Sequence, residues 1–159
     1  MAIFAYGQQL KSLIYLYKGC GDIVLGEAFL ERIKPLLQLR FHGYVLVPVP
    51  SYIARVQERG FDHVPLLFSG IGREVVPAIE KTADVKQSDQ SKKERRHIGR
   101  YFRLRHGEKL RGRKVLLVDD VYTTGSSVRA CLRLLRKARP KKMAVLVLAR
   151  VGLTGKKAR

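Results

Sequence analysis

Val115–Ser127 reads VLLVDDVYTTGSS: four apolar residues, two adjacent acids, a hydroxyl-rich turn, and a glycine opening onto a helical pattern. Lys114–Asp120 (KVLLVDD) predicts a buried strand. Residues 125–139 predict a helix with Val128, Cys131, Leu132 and Leu135 facing inward. The strand would carry Asp119 and Asp120 to a sheet edge, where carboxylates accept hydrogen bonds from vicinal hydroxyls such as the 2′ and 3′ groups of a ribose. Thr123, Thr124, Gly125, Ser126 and Ser127 suit a phosphate. Amides that open a helix are unpaired and sit at the positive end of its dipole. Gly125 lets the backbone approach closely, and the hydroxyls donate further bonds. An ordinary strand–turn–helix would use one Thr or Ser as a cap and leave both acids to solvate a strand end. Two carboxylates beside five phosphate-suited residues favour a site for a phosphorylated ribose. Neither GxxxxGK[ST] nor a Rossmann fingerprint is present.

Working outward, Tyr44–Val49 (YVLVPV) is apolar on nearly every residue, as expected of a strand covered on both faces, and Pro48 and Pro50 punctuate its end. Met143–Ala149 is another apolar strand, and Val75–Ile79 a shorter candidate. Leu10, Leu13, Ile14, Leu16 and Tyr17 set a helical period over 9–18. Asp22 is placed to cap a second helix, roughly 23–38, with Ile23, Leu25, Phe29, Ile33 and Leu37 inward and Pro35 kinking or ending it. Residues 62–74 read as helical despite Gly70 and Gly72. Strands alternating with helices predict an α/β fold, a parallel sheet flanked by helices. Ligands of such sheets bind beyond the carboxyl ends of the strands, here after 44–49 and 114–120.

The 159 residues suit one domain: 1–154 as a single unit, with a basic tail at 155–159. Lys and Arg number 32 against 13 Asp and Glu, a net charge of +19. A surface this positive attracts polyanions without choosing among nucleic acid, phosphorylated small molecules and acidic lipids. Cys20 and Cys131 are too few for a zinc ribbon or a disulfide framework. No apolar run approaches the ~20 residues of a membrane span, and no secretory signal is seen. The expected location is cytoplasmic.

Residues 86–114 hold twelve Lys or Arg and three acids, a stretch of the kind that is functional or disordered in a compact domain. The resemblance of VLLVDDVYTTGSS to phosphoribosyltransferases implies a mobile basic loop at about 84–103 that closes over pyrophosphate. Lys92, Lys93, Arg95 and Arg96 could cap a leaving pyrophosphate or follow a nucleic-acid backbone. Tyr101 and Phe102 beside them suit stacking on single-stranded bases, or form the hydrophobic re-entry of a charged loop. Arg55 and Arg59 follow the first candidate ligand loop. Arg59, beside Gly60, is the preferred phosphate clamp, against solvated arginines on a helix end. The histidines 42, 63, 97 and 106 show no metal spacing; His63 or His97 could lie near the site.

VLLVDDVYTTGSS resembles the 5-phosphoribosyl-1-pyrophosphate (PRPP) motif of type I phosphoribosyltransferases. YKGCGD (Tyr17–Asp22), VPVPSYIARVQERGFDH (Val47–His63), KQSDQSKKERR (Lys86–Arg96) and VLVLAR (Val145–Arg150) follow in the order of the ComF/ComFC competence-protein family. The resemblance spans roughly 13–150. It implies a type I phosphoribosyltransferase-like fold with Asp119 and Asp120 on the ribose, as the catalytic pair, and Thr123–Ser127 on the 5′-phosphate. It also implies Pro50 and Ser51 near the pyrophosphate, and Mg²⁺ bound with PRPP and assigned to no protein residue. The implied role is DNA uptake in natural transformation, with transfer of ribose 5-phosphate from PRPP. The alternative is a non-catalytic single-stranded DNA-binding competence factor that uses PRPP or a nucleotide phosphate as ligand. Other competence proteins are the further implied partners. Three features depart from the family, one being that the Asn usual after its basic ERxxN-like stretch is not evident around Ile98. Many members begin with a four-cysteine zinc ribbon that nothing here matches, so the chain reads as a ribbon-less or truncated member. Asp62 stands where RGFN often has Asn.

Overall fold

The structure, a computed structural model, describes residues 1–19, 30–82 and 101–152. Its centre is a five-stranded, wholly parallel sheet in the order β1-β7-β6-β2-β3. These strands are β1 (Ala2–Ala5), β2 (Tyr44–Pro48), β3 (Glu74–Val75), β6 (Lys114–Tyr122) and β7 (Lys142–Arg150). A separate antiparallel pair joins β4 (Ile79–Lys81) to β5 (Phe102–Leu104).

All five residues of β2 are buried, as are Val115–Val118 of β6, because both faces of the sheet are covered. On one face Leu116, Val118, Leu146 and Leu148 pack against α1 (Gln8–Gly19), α2 (Lys34–Arg40) and α4 (His63–Leu67) through Ile14, Tyr17, Leu37, Val64 and Leu67. On the other, Val45, Val47, Val115 and Leu117 pack against Val128, Cys131 and Leu135 of α5 (Ser126–Lys137). Burial holds the Cys131 thiol above its ordinary range, which makes it an inert core residue.

The expected strands at 44–49, 114–120 and 143–149 and the helices at 9–18 and 125–139 are present, with ends moved by two residues at most. Pro48 is tolerated in an inner strand for a local reason. The Val49 N–H turns toward β6, bonding Val118 at 2.9 Å, so the alternating Pro48 position faces the β3 side. There β3 has already ended, its last partner being Leu46, so the missing N–H removes no ladder bond.

Several expectations are corrected. Residues 31–33 form a turn and α2 starts only at Lys34, with Pro35 in its first turn. Proline begins this helix, since an amide there has no partner to lose. Asp22, Cys20 and the rest of 20–29 lie outside the described residues. The helix expected over 62–74 is five residues long, and the chain turns through 68–73; the two glycines outweigh the apolar period. The expected strand 75–79 divides around Pro77 into β3 and β4, which belong to different sheets. Elements not expected from the sequence are β1, the helix α3 (Ile53–Arg59), the strand β5, whose first residues fall within the expected loop 84–103, and a 3-10 turn at Gly107–Leu110. No helix among the described residues is long and apolar enough to cross a membrane.

Candidate functional site

β2 and β6 are neighbours in register, Pro48 opposite Val118, so the two strand ends singled out in the sequence open onto one place. A cleft of about 820 Å³ lies there. Pro50, Asp119, Asp120 and all of Thr123–Ser127 line it, together with Arg55 and Lys81. Its far wall is the end of β1 and the first turns of α1, including Tyr6, Gln8, Lys11, Ser12 and Tyr15.

The turn between β6 and α5 has the properties of an anion cradle. Gly125 adopts a left-handed backbone, φ +71°, and a Cβ there would overlap the phenol of Tyr122. Only glycine meets both demands. Among the described residues, the amides of Thr123, Thr124 and Gly125 have no backbone acceptor. The Ser126 amide makes one long contact, 3.4 Å, to Thr124 Oγ1, and the hydroxyls of Thr124 and Ser126 lie 2.9 Å apart. The helix that follows is 12 residues long, enough for its dipole to favour an anion at this end.

The acid pair divides. Asp119 is half-buried and stands near enough to Cys131 of α5 to influence that thiol. Asp120 is 7% exposed and turns to the opposite face. There its Oδ2 lies 3.3 Å from His63 Nε2, while its Oδ1 accepts the Val121 N–H at 2.6 Å. The Asp120 N–H in turn donates to Asp119 Oδ1 at 3.0 Å. Strand alternation separates adjacent side chains, yet both carboxylates reach the cleft wall.

Arg59 and Ser51 are not among the cleft-lining residues. Arg59 Nη1 is 2.7 Å from His63 Nδ1, and its guanidinium lies over the Phe61 ring. Ser51 Oγ donates to Asp62 Oδ1 at 3.2 Å. Burial raises the Asp62 carboxyl above its ordinary value, partly countered by that bond. Tyr17 donates its hydroxyl to the His63 carbonyl at 2.7 Å, and burial pushes the phenol up to about 12, so it remains a neutral donor.

Of the expected nucleic-acid residues, Lys92, Lys93, Arg95 and Arg96 lie outside the described residues, as does His97. Phe102 lines the base of the cleft but is only 5% exposed, packed into the core beneath, so little of its ring is open to stacking; Tyr101 is half-buried. The α1 wall and Lys81 were missed in the sequence. Their residues read as a plain amphipathic helix and a strand end, and nothing local points across the fold. Among the described residues no three His, Cys, Asp or Glu gather as a metal cage. Asp119 and Asp120, both on the cleft wall, would suit a Mg²⁺ held largely by substrate phosphates, for which one or two carboxylates suffice.

The profile of the phosphoribosyl transferase domain family matches residues 66–159. Competence protein ComFC of Streptococcus pneumoniae (strain ATCC BAA-255 / R6) is 31% identical over 149 residues, covering 94% of this chain and 67% of that protein. Competence protein ComFC of Bacillus subtilis (strain 168) is 27% identical over 152 residues, covering 94% and 63%. The chain thus spans about two thirds of the length of these relatives. A solved hypoxanthine phosphoribosyltransferase from Staphylococcus aureus aligns with a TM-score of 0.48 at 12% identity, covering 84% of this chain and 67% of that one.

Proposed function

The chain belongs to the phosphoribosyl transferase domain family and to the ComF/ComFC competence proteins, and on that premise we propose that its cleft binds PRPP with Mg²⁺. One observation carries the reading. A turn with backbone amides unbonded to any described carbonyl opens a 12-residue helix at the mouth of a cleft that also holds both aspartates. The 5′-phosphate would take the amides of Thr123–Gly125 and the hydroxyls of Thr123, Thr124, Ser126 and Ser127. Asp119, the more accessible acid, would accept from the ribose hydroxyls, with Asp120 beneath it. Arg55 and Lys81 would face the pyrophosphate, and Pro50 would form its wall. Mg²⁺, when bound, would neutralise charge on the pyrophosphate as it departs.

A transfer reaction follows from the same placement. An acceptor nucleophile would enter from the α1 wall and bond to C1′ as the C1′–O bond breaks, the pyrophosphate leaving with the electron pair. The acids would stabilise positive charge developing on the ribose. Calorimetric titration of PRPP with Mg²⁺ tests the reading. Wild type should bind, and Asp119→Ala with Asp120→Ala should weaken binding by about a hundredfold or more. No heat and no competition from PRPP in the wild-type protein would sink it. A second reading, single-stranded DNA binding, is favoured by the net charge of +19. The same titration with an oligonucleotide, repeated at two salt concentrations, decides it.

A further inference from the structure

The structure assigns to Arg59 and His63 a role neither would have as ligand groups: we propose that they form a relay that orients Asp120 from behind the cleft. The proposal rests on the PRPP reading of the cleft for its consequence, and on geometry alone for its existence.

A guanidinium has donors only. At 2.7 Å from Arg59 Nη1, His63 Nδ1 must therefore be the acceptor and carries no proton. The Asp62 carboxylate, 3.8 Å from the same nitrogen, is too far to claim it. The ring is then neutral, with its proton on Nε2, directed at Asp120 Oδ2 3.3 Å away. Asp120 Oδ1 takes the Val121 N–H at 2.6 Å. Each oxygen of the carboxylate meets a donor, which fixes its plane.

The local chain is shaped for this. α3 ends at Gly60 in a left-handed turn, φ +83°, which brings the last residue of α3 back against the first residue of α4. His63 is 7% exposed, its carbonyl is held by Tyr17, and Arg59 rests on the Phe61 ring. Neither Arg59 nor His63 lines the cleft. Arg55, one helical turn earlier, does, which leaves Arg59 to act through another residue.

The test joins a spectroscopic readout to a binding one. In ¹⁵N-detected histidine spectra of the full chain, His63 should show protonated Nε2 and bare Nδ1. Arg59→Met should abolish that single tautomer. In calorimetry with PRPP and Mg²⁺, His63→Ala should weaken binding by about ten- to a hundredfold. His63→Gln, whose amide can accept from Arg59 and donate to Asp120, should restore most of it, which a merely structural loss would not allow. The Arg59→Met, His63→Ala double variant should bind no worse than His63→Ala alone, because both act through one path. A protonated Nδ1 overturns the relay. So does unchanged binding by His63→Ala, failure of His63→Gln to rescue, or additive losses in the double variant. If wild type binds no PRPP, the reading of the cleft fails while the tautomer still supports or overturns the relay.

Discussion

The two turns that flank α5 each contain a left-handed residue and are opposite in what they leave open. The entry turn, 123–125, has amides without a backbone acceptor among the described residues, and the dipole's positive end behind it. The exit turn is closed on itself. Ala138 and Arg139 donate to Leu135 and Arg136, Lys141 donates to Arg113, and Gly112 donates back to Arg139 at 3.0 Å. Pro140 has no amide to satisfy. Both turns contain a left-handed residue, Gly125 at φ +71° and Arg139 at φ +51°. Charge divides the same way. Two acids stand near the entry turn, while Arg136, Lys137, Arg139 and Lys141 gather where the helix dipole is negative and cations are stabilised. Part of the +19 charge thus has an ordinary electrostatic setting far from the cleft. Backbone donors with no backbone acceptor among the described residues, more than side-chain charge, mark the site.

The largest effect should come from closing the open turn. Gly125→Ala places a Cβ against the Tyr122 phenol in a left-handed backbone, at about 1–2 kcal/mol of strain. PRPP affinity by calorimetry should fall by more than about tenfold, as one or more phosphate-facing amides move. Unchanged affinity would mean the turn is not the cradle. The matching change in the closed turn should do the reverse. Arg139→Gly relieves a left-handed arginine and should stabilise the fold by up to about 1 kcal/mol, read as a higher Tm. It should leave PRPP affinity as in wild type; a matching loss of affinity there would erase the distinction between the two turns.

The smallest effect concerns Asp62, the partly buried acceptor for Ser51. Burial raises its carboxyl, so the folded state holds the proton more readily than the unfolded chain. The group's contribution to stability is therefore most favourable at acid pH. It falls as pH rises from the ordinary value through the raised one. Asp62→Asn removes the charge and keeps an acceptor for Ser51. It should raise Tm by about 1–2 °C at neutral pH, an advantage that shrinks below about pH 4. A gain that is the same at both pH values would assign the effect to something other than ionisation.

Much of the frame was legible because it is local. Val115–Val118 and Tyr44–Pro48 are apolar on consecutive residues, which only a doubly covered strand sustains, and the period of α5 is complete within one stretch. β1 escaped notice because four residues with two exposed form no pattern until β7 is beside them. Phe102 was misjudged because a ring among cations reads the same whether it faces solvent or core.

The order of residues alone determined that a strand ends in two acids and a helix begins in a glycine turn, since each follows from neighbours along the chain. Tertiary structure decided which partners those groups meet. It sent Asp119 and Asp120 to opposite faces, turned Arg59 inward onto His63 and left Arg55 on the cleft. Such choices depend on contacts between residues up to 57 positions apart. Hydrogen bonds and burial at that range are settled only when the sheet has formed.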